Sequence, residues 1–523
     1  MFVRIKPSGP RKYVQIVENF REGSKVKQRV IANLGRLDIL QQTGQLDQIV
    51  AGLANLSEQY AVITANRVGK TQVIWDKEWG PSLVFGRLWE LLGIPKIIEN
   101  LKSHQKLEYD VERAIFVSVL QRLISPGSDL AGLKWLSDIL MPDQEKISLH
   151  HLYRSMDFLS EHKEEIERAL FNRGRTLFDT QIDLVLFDTT TVYFEGEGPD
   201  EFAQYGYSKD HRPDRKQILV GVAMSRCGYP LSCEFWPGNT SDQKTVGRII
   251  RIMKRRFSLE RVIFVADRGM VSEANIKEIE RNGFDYILGV RMRNAKHIGN
   301  KLIFDKFSFE VVKENLHVKE VRVGEDRLIV CFNPEQAEKD KRRREAILSK
   351  LKEKLQKGPK QLVGNRGYAR FLKLDKDALV IDPEKVEQDS IFDGKYILTT
   401  NTELSAKDVA LSYKGLWQVE RGFRNLKSAL EVRPVYHWKE SRVKGHVFAS
   451  FLSLVLMTAI ERKLEKKGIK LVWDDFIRDL RAFRAIRVKF TGKTYQLRTE
   501  CRGNVSYAFQ ALGLRIPPVM QSV

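Results

Sequence analysis

An α/β core interrupted by a β-rich insertion, and preceded by a small β-hairpin unit and a helical domain, is the fold class this sequence predicts. Three observations predict it. Between Asp183 and Val290 the runs LVLF, QILVGVAM, YPLSCEFW, RVIFVA and YILGV have the length and apolar character of strands, and helical stretches separate only the later ones. From Leu83 to about Phe178 apolar residues instead recur at helical spacing. After Arg291 short alternating runs return, until YILTT at Tyr396 to Thr400 resumes a strand that leads into another helix.

In chain order, KYVQIVENFREGSKVKQRVIANLG shows two alternating runs around Glu22-Gly23-Ser24, a hairpin signal with glycine at the turn, so residues 1–60 are expected to form a β-hairpin unit. Residues 61–180 are expected to form a helical domain, its amphipathic stretches punctuated by Pro95, Ser125-Pro126-Gly127 and Pro142. Such a module either binds duplex DNA or packs and dimerises, and without a helix-turn-helix signature both readings stay open. The core takes residues 181–294 and 395–465. Its first three strands are close enough for an antiparallel meander, and the later ones alternate with helices and are expected in parallel. That order resembles a ribonuclease H-like core.

Residues 295–394 are read as the insertion: KLIFD, FSFEVV, LHVKEVRV and DRLIVCF, a charged helix from about Glu335 to Lys357, then RFLKL and ALVID. Roughly one hundred residues suffice for a small domain of their own. Ser405 and Asp408 form a variant capping box where the next helix begins. Residues 466–523 are a C-terminal region.

At 523 residues the chain exceeds what one core usually organises, and 42% hydrophobic residues supply a large buried interior. Lys and Arg outnumber Asp and Glu by 88 to 67, a formal charge of +21, which favours a polyanionic partner, DNA first. Cys227, Cys233, Cys331 and Cys501 are scattered without zinc or redox spacing and are read as reduced thiols of a cytoplasmic, nucleoid-associated protein. The opening MFVRIKPSGPRKY lacks the apolar core of a signal peptide. The most apolar stretch, Val447 to Ile460, falls short of the ~18 residues of a membrane span and reads as a buried helix, so no membrane partner is expected.

Three acidic residues carry the chemistry. Asp188 follows LVLF and Asp267 follows VIFVA, so two buried strands deliver carboxylates to the carboxyl edge of a sheet, where open α/β sheets place their sites. Glu420 lies in the helix-like YKGLWQVERGFRNLK. Three separated carboxylates suit two divalent cations acting in phosphoryl transfer, because Mg²⁺ takes oxygen ligands; Mn²⁺ shares that preference. Thr189, Thr190 and Thr191 offer hydroxyls beside Asp188, and Arg268-Gly269-Met270 is a turn that leaves Asp267 at its strand end. Tyr413, Glu420, Arg424 and Lys427 are spaced to share one helix face, with cations and a phenol for phosphate oxygens beside the acid. Lys209, His211 and Arg212 occupy a polar loop and are candidates to contact the scissile strand. The helix carrying Arg342, Arg343 and Arg344 is basic enough to track a DNA backbone, or to be simply solvated.

These residues resemble those of the DDE-type insertion-sequence transposases of bacteria, in the group with a Tyr-x2-Arg-x3-Glu-x6-Lys signature. Tyr413, Glu420 and Lys427 match it, and Leu416 stands at the Arg position. FDTTTVYF around Asp188, GYSKDHRPDRKQ from Gly206, FWPGNTSD from Phe235, ADRGM around Asp267 and RPVYHW from Arg433 extend the resemblance. It implies a ribonuclease H-like core with a β-rich insertion, and a catalytic set of Asp188, Asp267 and Glu420 holding two Mg²⁺ ions. It also implies cleavage at terminal inverted repeats, transfer of the 3′-hydroxyl to target DNA, and a homodimer on DNA. Some relatives pass through a hairpin intermediate that the signature Tyr and Arg help to hold. Here Arg421 or Arg424 is the candidate to replace the missing Arg. Relatives stack a displaced base on an aromatic of the insertion, for which Tyr368 and Phe371 are the candidates here.

Two other readings compete. A non-catalytic DNA-binding protein derived from a transposase would tolerate loss of Asp188. A haloacid-dehalogenase-like phosphatase would use Asp188 as a nucleophile, but its loop carries a second Asp two residues on, and Thr190 stands there.

Overall fold

The computed structural model describes residues 1–22, 25–56, 72–103, 107–178, 183–259, 262–290, 292, 308–356, 366–375, 378–490 and 493–523. The chain divides into two compact units, one of residues 1–79, 479–502 and 515–523, the other of residues 80–478 and 503–514.

In the first unit β1 (Phe2–Ser8), β2 (Arg11–Glu22) and β3 (Lys25–Arg36) form an antiparallel sheet. The expected hairpin is its β2–β3 pair, closed at Glu22 opposite Lys25; the turn residues 23 and 24 lie outside the described residues. A fourth strand, β4 (Gln72–Glu78), pairs antiparallel with Arg484–Phe490 near the other end of the chain. Glu78 is buried there and accepts from Arg481 at 2.8 Å.

The second unit begins with the expected helices, Gly80–Leu91, Ile94–Lys102, Val111–Ile124, Asp129–Trp135, Leu149–Glu161 and Lys163–Phe178. Local chemistry sets their starts: the Asp110 carboxylate accepts from the Arg113 N–H, and Ser148 and His151 make a reciprocal capping box. The apolar stretch Val447 to Ile460 lies in a long helix, Glu440–Glu465. That helix is long and apolar enough to cross a membrane, yet 89% of its apolar window is buried against its neighbours. Its buried hydroxyls are satisfied internally, as where Ser453 donates to the Val119 carbonyl at 3.0 Å.

The central sheet is built on β5 (Leu184–Tyr193), β6 (Gln217–Ser225) and β7 (Pro230–Pro237), an antiparallel meander. β8 (Ile263–Ala266) adds parallel to β5, and β9 (Asp285–Val290) parallel to β8, giving the order β7-β6-β5-β8-β9. Near-continuous burial of β5, β6 and β7 follows from their apolar runs and cover on both faces.

The sheet then runs on. β10 (Glu310–Lys313), β11 (Leu316–Val323) and β12 (Asp326–Phe332) join it antiparallel through a later strand that lies between β12 and β9. Residues 310–332 are thus strands of the central sheet; the expected strand KLIFD lies outside the described residues. The rest of this stretch has a core of its own. Leu351 of the helix Pro334–Gln356 packs with Phe371 and Leu372 beside the hairpin of β13 (Leu372–Asp375) and β14 (Ala378–Ile381). Phe371 is fully buried, and Tyr368 packs against the same cluster with the Lys354 ammonium 5.0 Å from its ring centre. The strand between β12 and β9 is β15 (Lys395–Thr400), which leads to the helices Ala406–Lys414 and Trp417–Arg424.

Candidate active site

Asp188 and Asp267 are brought together by strand register. Phe187 of β5 pairs with Ala266 of β8, so the next residue on each parallel strand is one of the two acids. Asp188 alternates with Phe187 and therefore shares a face with Leu186. The helix Trp417–Arg424 covers that face: a Cβ on Gly422 would come 2.2 Å from the terminal methyl of Met224, the β6 residue opposite Leu186, so the helix lies close against the sheet there.

Asp188 is half-buried and accepts from the Thr189 N–H at 2.7 Å. Burial pushes its carboxyl up to about 6; the Lys209 charge and the Thr189 N–H oppose this, while Asp267 and Asp242 add to it. Asp267 is exposed and accepts from the Tyr413 hydroxyl at 3.0 Å. Gly289 makes room for that phenol, since a Cβ there would lie 2.6 Å from the hydroxyl oxygen. Burial first, and the Asp267 charge next, hold the Tyr413 phenol protonated, so it acts as a donor.

Glu420 is exposed on its helix. Within the described residues none of Asp188, Asp267 and Glu420 has an ion-pair partner, which is notable in a chain of formal charge +21. Among the described residues no three Asp, Glu, His or Cys side chains are gathered closely enough to hold a metal ion. Asp188 and Asp267 are therefore a pair, with Glu420 on a neighbouring helix.

The signature residues do not share one continuous helix face. The helix Ala406–Lys414 ends at Gly415, tight turns follow in which Leu416 bonds back to Tyr413 and Val419 to Leu416, and a π-helical turn covers Asn425–Ala429. These changes of winding break the spacings of 7 and 3 residues, whereas Glu420 and Arg424, four apart, stay together in the helix Trp417–Arg424. Tyr413 reaches Asp267, whereas Lys427 binds Asp210 at 2.7 Å, on the same oxygen that Arg433 approaches at 3.2 Å. The expected capping contact is present, with the Asp408 N–H donating to the Ser405 hydroxyl oxygen at 3.1 Å.

The loop candidates divide similarly. Lys209 turns inward, donating to the Thr189 carbonyl at 2.9 Å and its hydroxyl at 2.7 Å, and lies 3.3 Å from Asp242. His211 is exposed with φ 57°, and Arg212 pairs with Asp214 at 2.8 Å. Arg421 pairs with Glu461 at 2.8 Å, while Arg424 is exposed with no ion pair among the described residues. Asp242 and Asp210 were missed as site residues. Asp242 closes the FWPGNTSD run and accepts from the Thr189 hydroxyl at 2.6 Å, but nothing local distinguishes it from a turn residue.

A deprotonated Asp188 at this depth is destabilised by its surroundings, and a hard cation shared with Asp267 would relieve that. Mg²⁺ commonly takes one or two protein carboxylates, keeps several waters and completes its shell with phosphate oxygens, so the pair fits it.

Two family models match the chain. Residues 179–456 match the model of the transposase DDE domain, and residues 3–65 that of the IS1634 family transposase N-terminal domain. No curated protein matches the chain. Among solved structures, the cryo-EM synaptic complex of the piggyBac transposase with hairpin DNA aligns at 13% identity and a TM-score of 0.36, over 77% of this chain and 79% of that one.

Proposed function

The chain belongs to the DDE transposase family, and from that premise we propose that it binds the terminal inverted repeats of its own insertion sequence, cleaves there and transfers the 3′-hydroxyl ends to target DNA. The order β7-β6-β5-β8-β9, with an antiparallel meander followed by parallel additions, supports a ribonuclease H-like core.

The observation that carries the catalytic reading is the register-matched pair of Asp188 and Asp267, without ion pairs among the described residues and braced by Tyr413. In this reading Asp188 and Asp267 hold divalent metal, Mg²⁺ with Mn²⁺ able to replace it, and Glu420 joins them from the covering helix when DNA is bound. Two such ions supply Lewis-acid activation of the attacking hydroxyl and charge stabilisation of the leaving oxygen. Tyr413 is a positioning residue that fixes one Asp267 oxygen. Lys209 lowers the cost of ionising Asp188 and ties the loop to β5 through Thr189. Lys427 and Arg433 anchor the same loop through Asp210, leaving His211, and Arg212 beside Asp214, at its surface for strand phosphates. Arg424 is better suited than Arg421 to replace the missing signature arginine, because Glu461 holds Arg421. Juxtaposition of two ends favours a homodimer on DNA.

Labelled DNA from the regions flanking the gene, incubated with the protein with and without Mg²⁺ and beside an Asp267→Ala variant, tests the reading. Metal-dependent nicking at a defined terminal position, absent in the variant, is expected. Tight binding without cleavage in both proteins would overturn it.

A further inference from the structure

We infer that the sheet face opposite Asp188 carries a second DNA groove, built on Arg168, Arg251 and Arg255, that grips the phosphate backbone of duplex DNA of arbitrary sequence. The choice of DNA as ligand rests on the transposase reading above.

The helix Val246–Phe257 buries Val246, Ile249, Ile250, Met253 and Phe257, which leaves Arg248, Arg251 and Arg255, three and four residues apart, along its exposed side. Arg168 projects from the adjoining helix Lys163–Phe178, and a cavity of about 390 Å³ lies between them. Its side of the sheet follows from packing. Arg248 sits 5.5 Å from the ring centre of Trp236, and a Cβ on Gly221 would touch both Trp236 and Phe187. Phe187 points away from the face of its neighbour Asp188, so the groove and that carboxylate are on opposite faces.

The groove has a rigid and neutral floor. Lys163 binds Glu167 at 2.9 Å and Glu234 at 2.7 Å, and Arg256 binds both of those carboxylates, a buried set of two cations and two anions. Arg248 is directed to Glu234 at 2.8 Å, and Glu164 pairs with Arg256. On the rim, Arg168, Arg251 and Arg255 are exposed, and none has a carboxylate partner among the described residues; Arg251 donates only to the Gly247 carbonyl of its own helix at 3.0 Å. Glu165 is the one remaining acid of the lining. Three guanidinium groups without carboxylate partners among the described residues suit phosphate oxygens, and contacts to phosphate carry no sequence information. The basic helix Pro334–Gln356 is less suited, because Lys339 pairs with Glu335, Arg342 with Glu338 and Arg344 with Asp393.

The test measures binding of the full chain to a duplex that lacks the terminal repeats, across a series of salt concentrations. Removing three phosphate contacts in Arg168→Ala/Arg251→Ala/Arg255→Ala is expected to reduce the slope of log K against log salt by roughly 2 to 3. The matched triple lysine variant should retain most of the slope, and nicking of the chain's own ends should stay near wild type in both. An unchanged slope in a folded alanine variant overturns the groove, as does an equal loss in the lysine variant. If the wild-type chain fails to nick its ends while the alanine variant still loses slope, the groove stands and the transposase reading falls.

Discussion

Replacing Asp188 by Asn is expected to make the metal-free protein more stable while abolishing its chemistry. The folded carboxyl titrates near 6 against an ordinary 3.8, because burial, then Asp267 and Asp242, disfavour the anion more than Lys209 and the Thr189 N–H favour it. At 1.36 kcal/mol per pH unit, the ionised side chain costs the fold about 3 kcal/mol at neutral pH. The folded state keeps this proton to higher pH than the unfolded state. Stability therefore falls as pH rises from about 4 to about 6, and the deficit is complete above that window. Asparagine does not ionise, so its contribution is flat. Urea unfolding in a chelator at about pH 7.5 should show the variant more stable by about 2 to 3 kcal/mol, with the gap closing near pH 4. Adding Mg²⁺ to tenfold above its Kd should restore about 1.4 kcal/mol to the wild type and much less to the variant. A variant less stable than wild type at neutral pH, or a gain that persists unchanged at the acid end, would show that the Asp188 anion does not strain the metal-free fold.

Lys163→Met removes one of two cations from the buried set with Glu167, Glu234 and Arg256, and should cost about 3 to 5 kcal/mol in urea unfolding; a loss under about 1 kcal/mol would contradict the pairing. Tyr413→Phe deletes the donor to Asp267, so the nicking rate should fall by about 10 to 100-fold at unchanged stability, and a rate within about twofold of wild type would remove Tyr413 from the positioning role. If end cleavage proceeds through a hairpin, Arg424→Ala should deplete that intermediate on denaturing gels and Arg421→Ala should not; the reverse order would assign the role to Arg421.

Much of the core was legible because local patterns dictated it. LVLF and VIFVA are apolar runs of strand length ending in Asp, and sheet register alone then sets the two acids side by side. The meander followed by parallel strands was readable from the spacing of runs and helices. Less legible was anything decided by distant partners. Nothing in Gln72–Glu78 announces that it pairs with Arg484–Phe490, some four hundred residues later. Nor does Asp326–Phe332 announce β15 as its neighbour, which draws residues read as an insertion into the central sheet. Helical spacing suggested one face for Tyr413, Glu420, Arg424 and Lys427, but a tight bend at Gly415 and a wider turn after Arg424 redirect the side chains. Lys209 and Lys427 read as cations for DNA, and their partners Thr189, Asp242 and Asp210 are visible only in three dimensions.

Glu420 is the acid that lies apart from the other two. Single-turnover nicking by Glu420→Gln, on a terminal DNA substrate with Mg²⁺ and with folding verified by urea unfolding, tests its part in the catalytic set most directly. If Glu420 completes the metal-binding set, the rate should fall by about a thousandfold, the equivalent of roughly 4 kcal/mol of transition-state stabilisation, while stability and end binding stay near wild type. Nicking at close to the wild-type rate would contradict a catalytic set of Asp188, Asp267 and Glu420.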